Sequence, residues 1–176
     1  MRFKTTRSTL LLALGLITAG TSRADDSLTL GFRGGFSEKS VSGENFQQYE
    51  LFVDYKPWSW QWSGWQLDTR FRGTAGVLNG ANETGFIGSI GPALSFSNTS
   101  LPIFLDLGVS PTVLSRSTFK NANLGGNFQF TSYVGIRFQP IEALEIGYRF
   151  QHMSNAGIKE PNPGLNMYMF QLGYHF

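Results

Sequence analysis

Residues 168–176 read Tyr-Met-Phe-Gln-Leu-Gly-Tyr-His-Phe, and every second side chain in this stretch is apolar or aromatic. The apolar parity carries Tyr168, Phe170, Leu172, Tyr174 and Phe176. The other parity carries the polar Gln171 and His175. Because successive side chains of a β-strand point to opposite faces, this period of two predicts a strand with one apolar and one polar face.

The same alternation recurs seven times upstream of this stretch. It covers about residues 27–36, 47–56, 65–77, 84–96, 102–110, 127–139 and the stretch from residue 144 onward. A tilted strand needs about 9–11 residues to cross a bilayer, and these segments are long enough. Eight such strands, an even number, predict an all-β, antiparallel transmembrane β-barrel.

In each predicted strand the charged residues occupy the positions that alternate with the apolar ones, so they lie on the opposite face of the strand. They are Arg33, Glu50, Asp54, Asp68, Arg70, Arg72, Asp106, Arg137, Glu145 and Arg149, five of each sign. A charge facing lipid at mid-bilayer costs about 2–4 kcal/mol, so this parity must face the lumen. An eight-stranded barrel is just wide enough for side chains to fill it, which predicts a filled interior and no pore.

A soluble, lipocalin-like barrel is the competing interpretation, since it also has eight strands but turns its apolar face inward. The tryptophans favour the membrane barrel, because Trp58, Trp60, Trp62 and Trp65 cluster at one turn as interfacial girdle residues do. Aromatic and charged residues each make up 15% of the chain, and there is no cysteine. The absence of cysteine excludes disulfides, thiol nucleophiles and cysteine-ligated zinc.

The N-terminus has the pattern of a secretory signal peptide over residues 1–24. Arg2, Lys4 and Arg7 precede an apolar run over residues 10–19 that is too short to span a bilayer. The sequence Ser22-Arg23-Ala24 predicts cleavage after Ala24 and a barrel domain over residues 25–176. The leader holds four basic and no acidic residues, so the mature chain has 12 acidic against 10 basic residues. That balance removes the case for a nucleic-acid partner.

An even strand number puts both termini on the periplasmic side of the membrane. We therefore expect periplasmic turns at residues 56–64, 97–101 and 139–143, and outer loops at residues 37–46, 78–83, 111–126 and 155–165. The terminal strand ending at Phe176 resembles the C-terminal signal of bacterial outer-membrane proteins. This resemblance implies a multi-pass protein of the Gram-negative outer membrane, recognised by the barrel assembly machinery.

Three polar residues interrupt the lipid-facing parity of the last two strands. His152 and Ser154 continue the apolar parity of the seventh strand, and Asn166 shares that of Tyr168. We expect all three to lie on the outside of the barrel, at the depth of the outer leaflet. A serine hydroxyl beside a histidine base can attack an ester, although polar residues near a strand end also cost only about 0–1 kcal/mol and need no function.

The segment His152-Met153-Ser154-Asn155-Ala156-Gly157, followed by Pro161-Asn162-Pro163-Gly164 and a final aromatic strand, resembles the lipid A 3-O-deacylase (PagL-type) family. The match is strongest over residues 148–176. The resemblance implies that Ser154 is the nucleophile and His152 the general base. It also implies a substrate in the outer leaflet, the 3-O-linked 3-hydroxyacyl chain of lipid A in lipopolysaccharide, with no cofactor and no metal.

One departure from the family concerns the residue that orients the histidine. The family has a glutamate at the position of Asn166, where this chain has an amide. An amide oxygen can still accept a hydrogen bond from imidazole Nδ1, as in Cys-His-Asn proteases. Asn166 and, in the loop, Glu160 are therefore the two candidate orienters. For the oxyanion we expect Asn155 with the backbone N–H groups of Ala156 or Gly157.

Two alternatives remain open at this stage. One is a catalytically weak or non-enzymatic small barrel with a structural or adhesive role, and the other is an esterase that acts on phospholipid. The pattern does not fix the oligomeric state, and a homodimer is compatible with it.

Overall fold

Ten β-strands are present in residues 28–176, the part of the chain that the computed structural model describes. They are β1 (Leu28–Ser37), β2 (Phe46–Trp62), β3 (Trp65–Gly80), β4 (Glu83–Asn98), β5 (Ile103–Leu114), β6 (Thr118–Phe119), β7 (Ala122–Asn123), β8 (Phe128–Ile141), β9 (Leu144–Ser154) and β10 (Leu165–His175). The predicted signal peptide lies outside the described residues. In the described part of the chain, no helix is long and apolar enough to cross a membrane.

Eight of these strands form one closed antiparallel barrel in the order β1-β10-β9-β8-β5-β4-β3-β2. The first and last strands close it, with Thr29 opposite His175 and Ser37 opposite Met167. The start of β1 and the end of β10 therefore lie at one end of the barrel, together with the short turns at residues 63–64, 99–102 and 142–143. We call this the turn end, and the opposite end, with residues 38–45, 115–127 and 155–164, the loop end. The predicted eight-stranded antiparallel barrel is confirmed.

The outer surface of the barrel is a continuous apolar belt. Along β2, for example, Tyr49, Leu51 and Val53 are exposed, whereas Gln48, Glu50 and Asp54 at the alternate positions are buried. An exposed surface of leucine, isoleucine and aromatic side chains is unfavourable in water and favourable in a bilayer. The exposure pattern therefore confirms a transmembrane barrel and excludes the lipocalin-like alternative.

A β-bulge in β2 corrects the prediction of a long turn at residues 56–64. The register shifts between Tyr55 and Trp58, so residues 56 and 57 together oppose one residue of β3. The extra residue inverts the parity, and it lies at Pro57, which has no N–H to donate to the ladder. The even-numbered Trp58, Trp60 and Trp62 thereby point outward, on the same face as the odd-numbered residues before them. The turn itself is only residues 63–64.

The ten charged side chains that were predicted to face the lumen are all buried in the barrel. All of them except Asp68, which accepts from Gln66, form ion pairs in the interior. Arg33 donates to Glu50 at 2.5 Å, and Arg72 donates to Asp54. Arg137 lies 3.1 Å from Asp106 and 3.3 Å from Glu145. Buried charges of one sign are costly unless paired, and here each sign neutralises the other.

The loop end is closed by an apolar cluster instead of by charges. Residues 111–126 were expected to be an outer loop, but β5 extends to Leu114, and residues 115–127 contain the β6–β7 hairpin, which packs back onto the barrel mouth. The buried members of this cluster are Phe46, Leu78, Ile87, Leu114, Phe119, Ala122, Leu124, Met153, Leu165, Met167 and Met169. The hairpin therefore seals the loop end, in agreement with the predicted filled interior.

Candidate active site

The polar cluster lies on the outside of the barrel at the loop end of β9 and β10. The antiparallel register sets Asn166 directly opposite His152. His152 is exposed, and Ser154 and Asn166 are half-buried, whereas the intervening Met153 and Leu165 are buried in the sealing cluster. Strand alternation thus separates a polar outer set from an apolar inner set at the same height.

A chain of hydrogen bonds joins three residues of this cluster. His152 Nδ1 lies 2.7 Å from Asn166 Oδ1, and Asn166 Nδ2 donates to Glu38 Oε2 at 3.0 Å. The Glu38 N–H also donates to the Asn166 carbonyl at 2.8 Å, which continues the β1–β10 ladder beyond Ser37. The barrel closure therefore brings a carboxylate from the β1–β2 loop to the imidazole's amide partner.

The structure distinguishes the two candidate orienters by their contacts. Asn166 contacts the imidazole, whereas Glu160 is exposed in the β9–β10 loop. Within residues 28–176, Glu160 makes no hydrogen bond to His152. The geometry thus brings His152 and Asn166 together and leaves Glu160 apart.

Gly164 lies against the imidazole of His152. A Cβ atom at position 164 would stand 2.8 Å from His152 Cε1, which is closer than real Cβ contacts allow. The residue also has φ +69°, in the left-handed region that favours glycine. Two features therefore favour glycine at this position: the left-handed backbone of the loop and the close approach of the His152 imidazole.

Two serines lie on the outer face near His152. Ser154 follows it by two residues on β9, and Ser132 stands opposite it on β8. Among the described residues, neither serine hydroxyl donates a hydrogen bond to the imidazole. The sequence interpretation named only Ser154, because the pairing of β8 with β9 is needed to place Ser132 beside the histidine.

The segment after Ser154 is a tight loop held by Asn155. The Asn155 side chain is buried, and its Nδ2 donates to the carbonyls of Gly125 at 2.8 Å and Lys159 at 2.6 Å. Its Oδ1 accepts from the Gly157 N–H at 2.9 Å. Of the three residues expected to supply oxyanion donors, only Ala156, at φ +55°, has an N–H with no partner among the described residues.

A polar groove of 320 Å³ opens beside the hydrogen-bonded chain. It is lined by residues 38–42 of the β1–β2 loop and by Pro163, Gly164 and Asn166. Asn166 and Gly164 thus contribute to both the groove and the surroundings of His152. Within residues 28–176, no group of three or more His, Asp or Glu side chains is arranged to hold a metal ion.

Comparison with known proteins identifies the family of this chain. The sequence model of a family described as lipid A 3-O-deacylase (PagL) matches residues 47–175. Lipid A deacylase PagL of Bordetella bronchiseptica is 31% identical over 159 residues, which covers 82% of this chain and 84% of that protein. Lipid A deacylase PagL of Pseudomonas aeruginosa is 27% identical over 143 residues, covering 73% and 78% respectively.

Among solved structures, the crystal structure of the outer membrane enzyme PagL superposes with a TM-score of 0.73 at 22% identity. The superposition covers 84% of this chain and 99% of that one, and it supports the same barrel fold. The family match spans every barrel strand except β1, and it includes His152, Ser154 and Asn166. The chain therefore belongs to the lipid A 3-O-deacylase (PagL) family.

Proposed function

We propose that this protein is a serine esterase of the Gram-negative outer membrane that removes the 3-O-linked 3-hydroxyacyl chain from lipid A. The observation that carries the proposal is the polar cluster on an otherwise apolar outer face, where His152 is bound to Asn166. Polar groups on the lipid face are unfavourable unless they meet a polar partner. The ester and sugar groups of a lipid at that depth are such partners.

The orientation of the barrel supports a substrate in the outer leaflet. The start of β1 and the end of β10 lie at the turn end, so a barrel whose turn end faces the periplasm has its loop end at the cell surface. Lipid A occupies that leaflet, and the sealed interior gives it no route inward. The groove beside Asn166 and Gly164 is suited to a sugar headgroup, because it is lined by polar loop residues next to the imidazole.

The reaction follows the usual course for a serine and a histidine. His152 Nε2 takes the proton of the Ser154 hydroxyl as Oγ attacks the ester carbonyl carbon. The tetrahedral intermediate then expels the sugar 3-oxygen, which receives the proton from His152. Water, activated by the same imidazole, cleaves the acyl-Ser154 ester and releases a free 3-hydroxy fatty acid.

We assign the oxyanion contact to the Ala156 N–H, the donor that remains free among the three expected residues. Asn155 and Gly157 hold the loop that presents it, through the bonds from Asn155 to Gly125 and from Gly157 to Asn155. Loss of a single oxyanion donor typically costs about 10²–10³ in kcat, so the loop shape matters to the rate.

Replacement of the nucleophile tests the proposal. Ser154→Ala should abolish release of the 3-hydroxy fatty acid, measured by mass spectrometry of lipid A from cells that express the variant. Ser132→Ala is the matched control, since it removes a hydroxyl from the same outer face beside His152. Unchanged release from Ser154→Ala, or loss confined to Ser132→Ala, would contradict the assignment.

The substrate class is tested with purified protein in mixed micelles. Lipid A and a diacyl phospholipid are offered separately, and released fatty acids are quantified. We expect release from lipid A alone, with loss in the Ser154→Ala variant. Release from phospholipid at a comparable rate would assign a broader lipid esterase. No release from either substrate would favour the non-enzymatic barrel.

A further inference from the structure

Glu38 is the residue that the sequence interpretation did not include in the site. It comes directly after β1, at the start of the β1–β2 loop, and it is half-buried. Its backbone and its carboxylate both contact Asn166, at 2.8 Å and 3.0 Å. These two contacts fix Glu38 relative to Asn166 on the neighbouring strand.

The hydrogen-bonding capacities of the three groups determine their orientation. A carboxylate only accepts, so Asn166 must turn its Nδ2 toward Glu38, which leaves Oδ1 facing His152. The amide oxygen also only accepts, so His152 Nδ1 must carry the proton. The lone pair then lies on Nε2, where a general base needs it.

The carboxylate of Glu38 interacts mainly with Asn166. Within residues 28–176 it forms no ion pair with a lysine, arginine or histidine, and its one side-chain hydrogen bond there is from Asn166. By contrast, Glu44 in the same loop pairs with Lys120 at 3.6 Å. The negative charge of Glu38 therefore acts on the amide instead of on a neighbouring cation.

We propose that Glu38 is a positioning residue that supplies, through the amide of Asn166, the negative charge that a carboxylate at position 166 would supply directly. It holds the amide in one orientation, fixes the His152 tautomer and favours the imidazolium that forms during acyl transfer. Charged hydrogen bonds are about twice as strong as neutral ones, so the carboxylate also polarises the amide. This inference rests on the proposed esterase function.

The first test is Glu38→Gln, assayed as release of 3-hydroxy fatty acid from lipid A. The glutamine amide can present either its oxygen or its nitrogen, so it no longer dictates the orientation of Asn166. We expect kcat to fall by about 10–100-fold, the usual loss when an outer orienting partner is removed, with KM within about 2-fold. Glu44→Gln is the matched control, with the same charge change in the same loop and no contact with Asn166.

The second test asks whether the effect of Glu38→Gln on kcat reverses in the Asn166→Glu background. In the Asn166→Glu variant a carboxylate contacts the imidazole directly, and Glu38 becomes a like charge beside it. Adding Glu38→Gln to this variant should therefore raise kcat, whereas the same substitution lowers kcat in the wild type. A merely structural role for Glu38 would lower activity in both backgrounds.

Folding of each variant is checked by the heat-dependent mobility of the barrel in gel electrophoresis. If Asn166→Glu does not fold, Glu38→Asp replaces the second test, because the shorter side chain keeps the charge and loses the contact; it should lower kcat as Glu38→Gln does. Wild-type kcat in folded Glu38→Gln, or an equal fall in both backgrounds, would overturn the inference. Activity that survives Ser154→Ala would instead overturn the proposed function, so the two failures are distinguishable.

Discussion

The barrel holds two groups of polar side chains, one inside and one outside, and they differ in how firmly each member is held. Inside, Glu50 accepts hydrogen bonds from Arg33, Arg149 and Gln48. Outside, His152 has one side-chain hydrogen bond to the described residues, to Asn166, and within residues 28–176 its other ring nitrogen has no partner. Charged groups that are paired and buried inside the protein contribute to its stability, whereas an exposed imidazole can reach a substrate.

The comparison indicates that burial, more than residue type, determines whether a polar side chain contributes to stability or to the reaction. The interior arginines and carboxylates have no route to a lipid substrate, because the apolar cluster closes the loop end. Substitutions inside should therefore change the free energy of unfolding, and substitutions on the outer face should change the rate of deacylation.

The largest expected effect comes from His152→Leu on the outer face. Loss of the proposed general base should lower kcat for lipid A deacylation by about 10²–10⁴-fold. Leucine suits a lipid-facing position, so the free energy of unfolding should not fall. Both quantities are measured on one preparation, by fatty-acid release and by urea unfolding from lipid vesicles followed by tryptophan fluorescence. A near-normal kcat would show that His152 on the outer face does not take part in the reaction.

Arg137→Met should have the opposite effect, lowering the free energy of unfolding and leaving the rate of deacylation nearly unchanged. It leaves Asp106 and Glu145 as uncompensated charges in the interior, and breaking a buried pair in this way costs about 3–5 kcal/mol of stability. Deacylation per folded molecule should stay within about 2-fold, because the site lies outside the barrel.

Arg116→Met is the control for this interior change. It removes the exposed Arg116–Glu83 ion pair, whose atoms lie 3.3 Å apart, and it should cost at most about 1 kcal/mol. A loss for Arg137→Met no larger than that of the control would mean that burial does not distinguish the two groups.

The smallest effect is expected from Gly164→Ala, which should lower both the stability and kcat. The left-handed backbone costs an alanine about 1–2 kcal/mol, and the new Cβ displaces the imidazole. Small displacements of catalytic groups can cost up to about 10²-fold, so we expect kcat to fall by about 10-fold. Gly43→Ala has a comparable φ, +82°, with nothing within 4 Å of its Cβ. The kinetics of this control should stay normal, and an equal loss in both variants would rule out the contact with His152 as the cause.

Much of the fold could be predicted from the sequence, because period-two alternation is a local property. The parity of Arg33 or Glu145 follows from its immediate neighbours, and so does that of Ser154 and Asn166. The bulge at Pro57 could not be predicted in this way, since one inserted residue inverts the parity and resembles a turn. The β6–β7 hairpin was also missed, because its burial depends on contacts with distant strands.

The site was predictable in the same measure. His152 and Asn166 are close in sequence and lie on adjacent strands, so spacing and parity were enough to bring them together. Glu38 is 128 positions away from Asn166 and becomes its neighbour only through the β1–β10 register. A one-residue change in that register would turn Glu38 to the other face, and no local pattern specifies it.

The closure between the first and last strands has a consequence for biogenesis. Ser154 and His152 lie on the penultimate strand, but Glu38, which we assign to orient Asn166 and through it His152, follows β1 on the other side of the seam. A half-inserted barrel would hold the nucleophile and the base without that anchor. Full hydrolytic competence would then appear only once the cylinder is complete, so a partly assembled barrel would hydrolyse its substrate more slowly than the finished one.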